Sequence, residues 1–270
     1  MDVLRRSGAP VSERVWRALD EAVVQAARHV MSARRVATFD GPRGFDYLAV
    51  PLGTVSVSNG PEGPARVGVP NLVPLAEIRA QFSLAWSAVD AFERGGPALD
   101  AGPAEHAARE VAVAEDRLVL LGSPLGTGFL GGKGALRRPT GDWRRAETIV
   151  ADLIGGVEAL DVAGVPGPYE ALLAPAPYYA LFQGAPDGGY PPHRRLRGIL
   201  SGIHRSPALA DGGGGAVFST RGGDFVLTVG GDLATGYRSH DSDALHLFCV
   251  ETVAAQTLTP EAVCLLGAGG

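Results

Sequence analysis

Cysteine is nearly missing from this chain: Cys249 and Cys264 are its only two in 270 residues. A disulfide scaffold uses the residue far more densely, so two buried thiols in a reducing compartment are expected. Long apolar runs are missing as well. No uncharged stretch approaches the ~20 residues that a membrane span needs. The opening segment MDVLRRSGAP has no apolar core of the kind a secretory signal carries, and the expected location is the cytoplasm. Nor is there an excess of positive charge. Lys and Arg number 24 against 29 Asp and Glu, a net charge of −5. That excludes the basic face of a nucleic-acid binder and the polybasic stretch of a membrane anchor. The signatures G-x-S-x-G, H-E-x-x-H and C-x-x-C do not occur. No enzyme activity is therefore expected, and no catalytic residue is assigned.

What the chain has in quantity is glycine (38) and proline (20), about a fifth of all positions, which disfavours a helix bundle. Apolar residues at 46% and charged residues at 20% fit an ordinary globular protein. Ser12 is placed to cap a helix carrying Trp16, Leu19, Val23, Ala26 and Val30 at helical spacing and ending near Arg34-Arg35. Its apolar stripe is narrow, so it is expected to dock on something rather than to form a core. A second helix opens at Pro103 and runs through Val111 and Leu118 to a glycine stop at Gly122. A third covers about 143–160. Leu48, Val50 and Leu52 alternate along one strand, and Ile78, Ala80, Phe82 and Leu84 along another. The Gly/Pro-rich stretch 59–71 lies between them. Two long strands joined so loosely predict an extended arm that packs on a neighbouring molecule. Short elements fill 165–210, and strands are predicted over 216–220, 225–229, 245–257 and 262–266. Helices and strands mix without regular βαβ alternation, so the class is α+β.

Several segments invite a chemical reading and lose it on context. Gly126-Thr127-Gly128-Phe129-Leu130-Gly131 spells the dinucleotide fingerprint. It follows a helix, and no helix opens at its last glycine, so it reads as a loop. Gly132-Lys133 is followed by Gly134 where a phosphate loop needs Ser or Thr. His240, Asp241, Asp243 and His246 read as an acidic turn at a strand entrance, and no metal site is assigned. Glu115-Asp116 lie inside the second helix as a solvated or salt-bridged face. Arg221-Gly222-Gly223-Asp224-Phe225 is a two-glycine turn between strands. No nucleophile–base pair is visible.

Taken in order, a longer series of segments is specific. It includes Ser32-Ala33-Arg34-Arg35, Asp40-Gly41-Pro42-Arg43-Gly44-Phe45, Pro74-Leu75-Ala76-Glu77-Ile78-Arg79 and Glu115-Asp116. It continues with Gly167-Pro168-Tyr169, Ser219-Thr220-Arg221-Gly222-Gly223-Asp224-Phe225, Gly231-Asp232-Leu233, Gly236-Tyr237 and Glu251-Thr252. Over essentially its whole length the chain resembles the encapsulins, the linocin-type bacteriocin proteins. The resemblance implies the HK97 phage-capsid fold. Residues 1–44 would form an N-terminal helix and arm, 45–80 an extended loop, 81–135 with 221–270 a peripheral domain, and 136–220 an axial domain.

It also implies self-assembly into an icosahedral shell, of about sixty subunits at this chain length, around a peroxidase or a ferritin-like iron-storage cargo. Cargo would be held by its C-terminal peptide on Val30, Met31, Arg34 and Val36, with Asp232, Leu233 and Tyr237 opposite. The loop 183–189 would line a five-fold pore through Gln183, Asp187, Gly188 and Gly189, whose lone acid favours cations. Thr38 stands where many members have an acid, and Val253-Ala254-Ala255-Gln256 replace an aromatic-rich run. Some members hold a flavin near a tryptophan that Trp86 misses by one position. On a strand that is the other face, and no cofactor is expected. A prophage or viral major capsid protein of the same fold is the alternative, and a hydrolase or protease the reading from another class.

Overall fold

The density of glycine and proline cuts the chain into short elements, and the computed structural model describes residues 2–59, 66–124, 126–183, 191–212 and 214–267. The helices are α1 (Glu13–Arg28), α2 (Ala33–Val36), α3 (Trp86–Glu93), α4 (Gly102–Leu121), α5 (Ala146–Val162) and α6 (Pro175–Phe182). The strands begin with β1 (Thr38–Asp40), β2 (Ala49–Asn59), β3 (Arg66–Pro74), β4 (Ala76–Ala85), β5 (Leu136–Pro139) and β6 (Tyr169–Leu173). They end with β7 (Gly202–Arg205), β8 (Gly215–Ser219), β9 (Phe225–Val229), β10 (Ala234–His240), β11 (Ala244–Thr257) and β12 (Val263–Gly267).

Two five-stranded sheets result, each mixing parallel and antiparallel pairs. In the first, β11 is the axis. It pairs with β4 over 244–253, with β10 over 245–250 and with β9 over 253–257, all antiparallel, and β1 joins β9 in parallel. The second has the order β5-β12-β8-β6-β7. Its second strand is β12, so segment 221–270 is divided between the two sheets rather than confined to one. The turn Arg221–Asp224 therefore does not close a hairpin. It carries the chain from β8 in one sheet to β9 in the other, through Gly222 at φ 96° and Gly223 at φ 82°, a region that suits glycine.

Two apolar cores lie side by side. The larger gathers Phe129, Ile149, Leu153, Leu172, Phe218, Phe225 and Val253; the other gathers Trp16, Leu19, Val23, Phe82, Val111, Leu245 and Leu247. α4 serves both. Ala104, Ala107, Ala108 and Val111 enter the second core, and Val119 and Leu120 the larger one. The alanines let α1 lie close, so α1 buries Val15, Trp16, Leu19, Val23 and Ala27 within its own chain. The expectation of a helix that builds no core is corrected: its stripe is half of one. α1 also stops at Arg28, and the predicted continuation to Arg34-Arg35 is a separate short helix. Ser12 precedes α1 as expected, yet its hydroxyl makes no cap bond; its backbone N–H donates to Glu93 Oε1 instead, 2.9 Å away.

The arm differs from its prediction in composition. β3 occupies 66–74, so it takes in the second half of the supposed loose stretch, and pairs antiparallel with β2 as a two-stranded sheet of its own. The alternating strand that was to be the second half of the arm is β4, which belongs to the first sheet. Val55, Val57, Val67 and Val69 stand 47–59% exposed on the hairpin. The Gly126–Gly131 run folds back on α4: Phe129 and Leu130 N–H donate to Val119 and Leu120 O, and both side chains are buried. Among the described residues no helix is long and apolar enough to cross a membrane.

Candidate functional site

Where the two cores meet, the interior is charged. Val30 and Met31 belong to one core, Ala33 and Val36 to the other, and Arg34 between them points into the seam. Its Nε donates to Glu115 Oε1 at 2.9 Å, and its Nη2 to Glu115 Oε2 at 2.6 Å and Glu251 Oε2 at 3.0 Å. Its Nη1 donates to Asp232 Oδ1 at 2.9 Å. Glu115 comes from α4 and Glu251 from β11, and both are fully buried. One planar guanidinium with five donors makes these four bonds to three carboxylates; an ammonium, with three donors, could not make them all.

The charges do not balance, and the protein responds in its protonation. Burial, followed by the neighbouring Glu115 carboxylate, raises Glu251 well above the ordinary glutamate value. Its Oε1 has no hydrogen-bond partner among the described residues. Burial works against the charge of Arg34, but the hydrogen bond and attraction of Glu115 outweigh it and hold the guanidinium protonated. Beside this hub, Asp116 accepts from Ser32 N–H at 2.8 Å, Ala33 N–H at 2.9 Å and Ser32 Oγ at 2.6 Å, satisfying the open end of α2. Burial nevertheless pushes its carboxyl up to about 6. Glu115 and Asp116 are thus an interior pair, and the solvated alternative is corrected.

The hub forms one wall of a cavity of about 440 Å³, lined by Val24, Ala27, Arg28, Met31, Arg34, Arg35, Asp232 and Leu233. Met31, Arg34, Asp232 and Leu233 of the sequence-predicted docking set therefore come together. The others do not. Val30 is packed in the second core and Val36 in the larger one. Tyr237 lies under the N-terminal segment, with its N–H donating to Leu4 O at 2.8 Å and its hydroxyl 2.6 Å from His240 Nδ1. Sequence reasoning missed Val24, Ala27, Arg28 and Arg35, which share the face of α1 that continues into α2. Of the pore set, Gln183 is exposed just after α6, while Asp187, Gly188 and Gly189 lie outside the described residues.

Elsewhere, Asp241 Oδ1 accepts from the N–H of Asp243 and Ala244, the turn role read from the sequence. A nucleophile–base pair does exist: His246 lies 2.8 Å from Ser83 Oγ through Nδ1 and 2.8 Å from Asp241 Oδ2 through Nε2. It sits across β4 and β11 on an open sheet face, away from this cavity, and ties the turn to the sheet. Trp86 opens α3 instead of ending a strand, so the strand-face reason given for it does not apply.

Four of the segments that carried the family resemblance, around Arg34, Glu115, Asp232 and Glu251, thus converge on one point. The Linocin_M18 family, described as the encapsulating protein for peroxidase, matches residues 1–254. The chain belongs to the encapsulin family. A type 1 encapsulin shell protein of Rhodococcus erythropolis is 34% identical over 97% of this chain and 98% of that protein. Among solved structures, a virus-like particle from Pyrococcus furiosus superposes with a TM-score of 0.68 at 17% identity, over 93% of this chain and 99% of that one. The capsid of the myophage XM1 gives 0.58 at 12% identity, over 88% and 92%. At such identities the likeness concerns the fold, which is that of phage capsids.

Proposed function

We propose that this encapsulin chain is the subunit of a closed icosahedral shell in the cytoplasm, built from about sixty copies, with no chemistry of its own. The observation that carries this reading is the hairpin β2–β3. A two-stranded sheet is marginal alone in water, and this one presents Val55, Val57, Val67 and Val69 to solvent. The register puts Val55 and Val57 on one face of the hairpin and Val67 and Val69 on the other; exposed valines on both faces call for a partner surface, and a second copy of the chain is the one always present. Identity of 34% to a shell protein over nearly the full length favours a compartment over a viral capsid.

The cargo is a peroxidase or a ferritin-like protein whose terminal peptide lies in the 440 Å³ cavity, its apolar side chains on Val24, Ala27, Met31 and Leu233. In this reading Arg34 is structural, because its guanidinium is committed to Glu115, Glu251 and Asp232. The loop 183–189 lines the pore. Negative-stain microscopy of the purified full-length protein should show uniform hollow particles. A monomer in native buffer at micromolar concentration would sink the shell reading.

A further inference from the structure

The rim of the docking cavity carries charge that the protein itself does not use. Arg28 and Arg35 are exposed at its margin, and among the described residues their side chains have neither ion pair nor hydrogen bond. A second cavity of about 190 Å³ adjoins the first, sharing Arg28, Met31 and Arg35 and adding His29, His204 and Arg205. Arg205 likewise has no partner there. The acids at this margin are already engaged: Asp232 with Arg34 at 2.9 Å, and Glu170 with His204 at 2.7 Å. Three arginines with nothing to pair with thus flank an apolar seat, on a chain whose net charge is −5.

Three unpaired guanidiniums on one margin, exposed at Arg28 and Arg35 and half-buried at Arg205, repel one another and gain only from an anion brought by the occupant. Charges at the edge of an interface act on selection and encounter rate more than on total affinity. The apolar floor has no such preference. We propose that the occupant of this cavity is an apolar peptide flanked by acidic side chains, its aliphatic residues on Met31 and Leu233 and its carboxylates on Arg28, Arg35 and Arg205. This rests on the docking reading above and adds the charge of the partner.

Co-expression of the full-length chain with green fluorescent protein tests it. The carrier is made with no tail, with a ten-residue tail of Leu, Ile and Gly flanked by two Asp, and with the same core flanked by two Lys. The readout is fluorescence per purified particle. The Asp tail should load several-fold better than the Lys tail, as two exposed ion pairs imply (each about 0.2–1 kcal/mol). In the Arg28→Glu/Arg35→Glu shell the order should invert. Both positions are exposed, so particles should still form; if they do not, Arg28→Gln and Arg35→Gln made singly should each shrink the preference. Equal loading of both tails, above the tailless carrier, overturns the charge proposal and leaves docking in place. An Asp preference unchanged in the arginine variants overturns it as well. Tails that load no better than the tailless carrier overturn the docking reading itself.

Discussion

Arg34 is the residue on which most of the interior charge depends. Removing it leaves Glu115 and Glu251 buried without a cation, a loss of about 3–5 kcal/mol in comparable buried pairs. Arg34→Met should therefore lower the thermal midpoint at pH 7 by many degrees, read by tryptophan fluorescence, and acidification to pH 5 should return part of it. Arg34→Lys should recover less than half, since one ammonium cannot reach three carboxylates in a fork. Asp116 makes a separate prediction. Its folded value of about 6 lies above the ordinary 3.8, so its ionisation weakens the fold at neutral pH. That penalty is full above 6, shrinks as pH falls through it, and is gone below 3.8. Glu251 acts in the same direction. Asp116→Asn keeps an acceptor for the Ser32 and Ala33 N–H groups and removes the charge. Relative to this variant, the parent chain should gain about 1.4 kcal/mol of stability in guanidinium titrations between pH 7.5 and pH 5.

At the scale of elements, what is local was legible and what depends on distant partners was not. α4 was readable because Pro103 and Gly122 punctuate it, and Phe225–Val229 because it is rich in β-branched and apolar residues. β10 left no signal: Ala-Thr-Gly-Tyr-Arg-Ser-His has almost no apolar alternation, and it is a strand because β11 lies beside it. β3 holds Gly68 and Pro70 and read as loop, yet it pairs with β2. The hub was hidden for the same reason, since the acids on Arg34 are 81, 198 and 217 positions away. The arm is testable as an element. Replacing Val55, Val57, Val67 and Val69 with serine removes exposed apolar surface only, so circular dichroism and thermal midpoint should change little. Particle yield in size-exclusion chromatography should collapse, whereas unchanged yield would show that the hairpin is not an adhesive surface.

For the whole molecule, the two cores, the seam between them and the hairpin outside them divide the labour. The cores make a subunit, the hub fixes how the cores meet, and the hairpin is left for others. One feature of the sheets adds a matter of timing. β11 is the axis of the first sheet and β12 the second strand of the other, and both are made after nearly everything they hold together. Among the described residues β5 pairs with no strand but β12. A chain still on the ribosome therefore has both sheets open, and neither can close until residues 244–267 emerge. Half-made subunits offer no finished surface to a neighbour's hairpin. On the shell reading proposed above, the end of translation is thus the step that admits a subunit to the assembly.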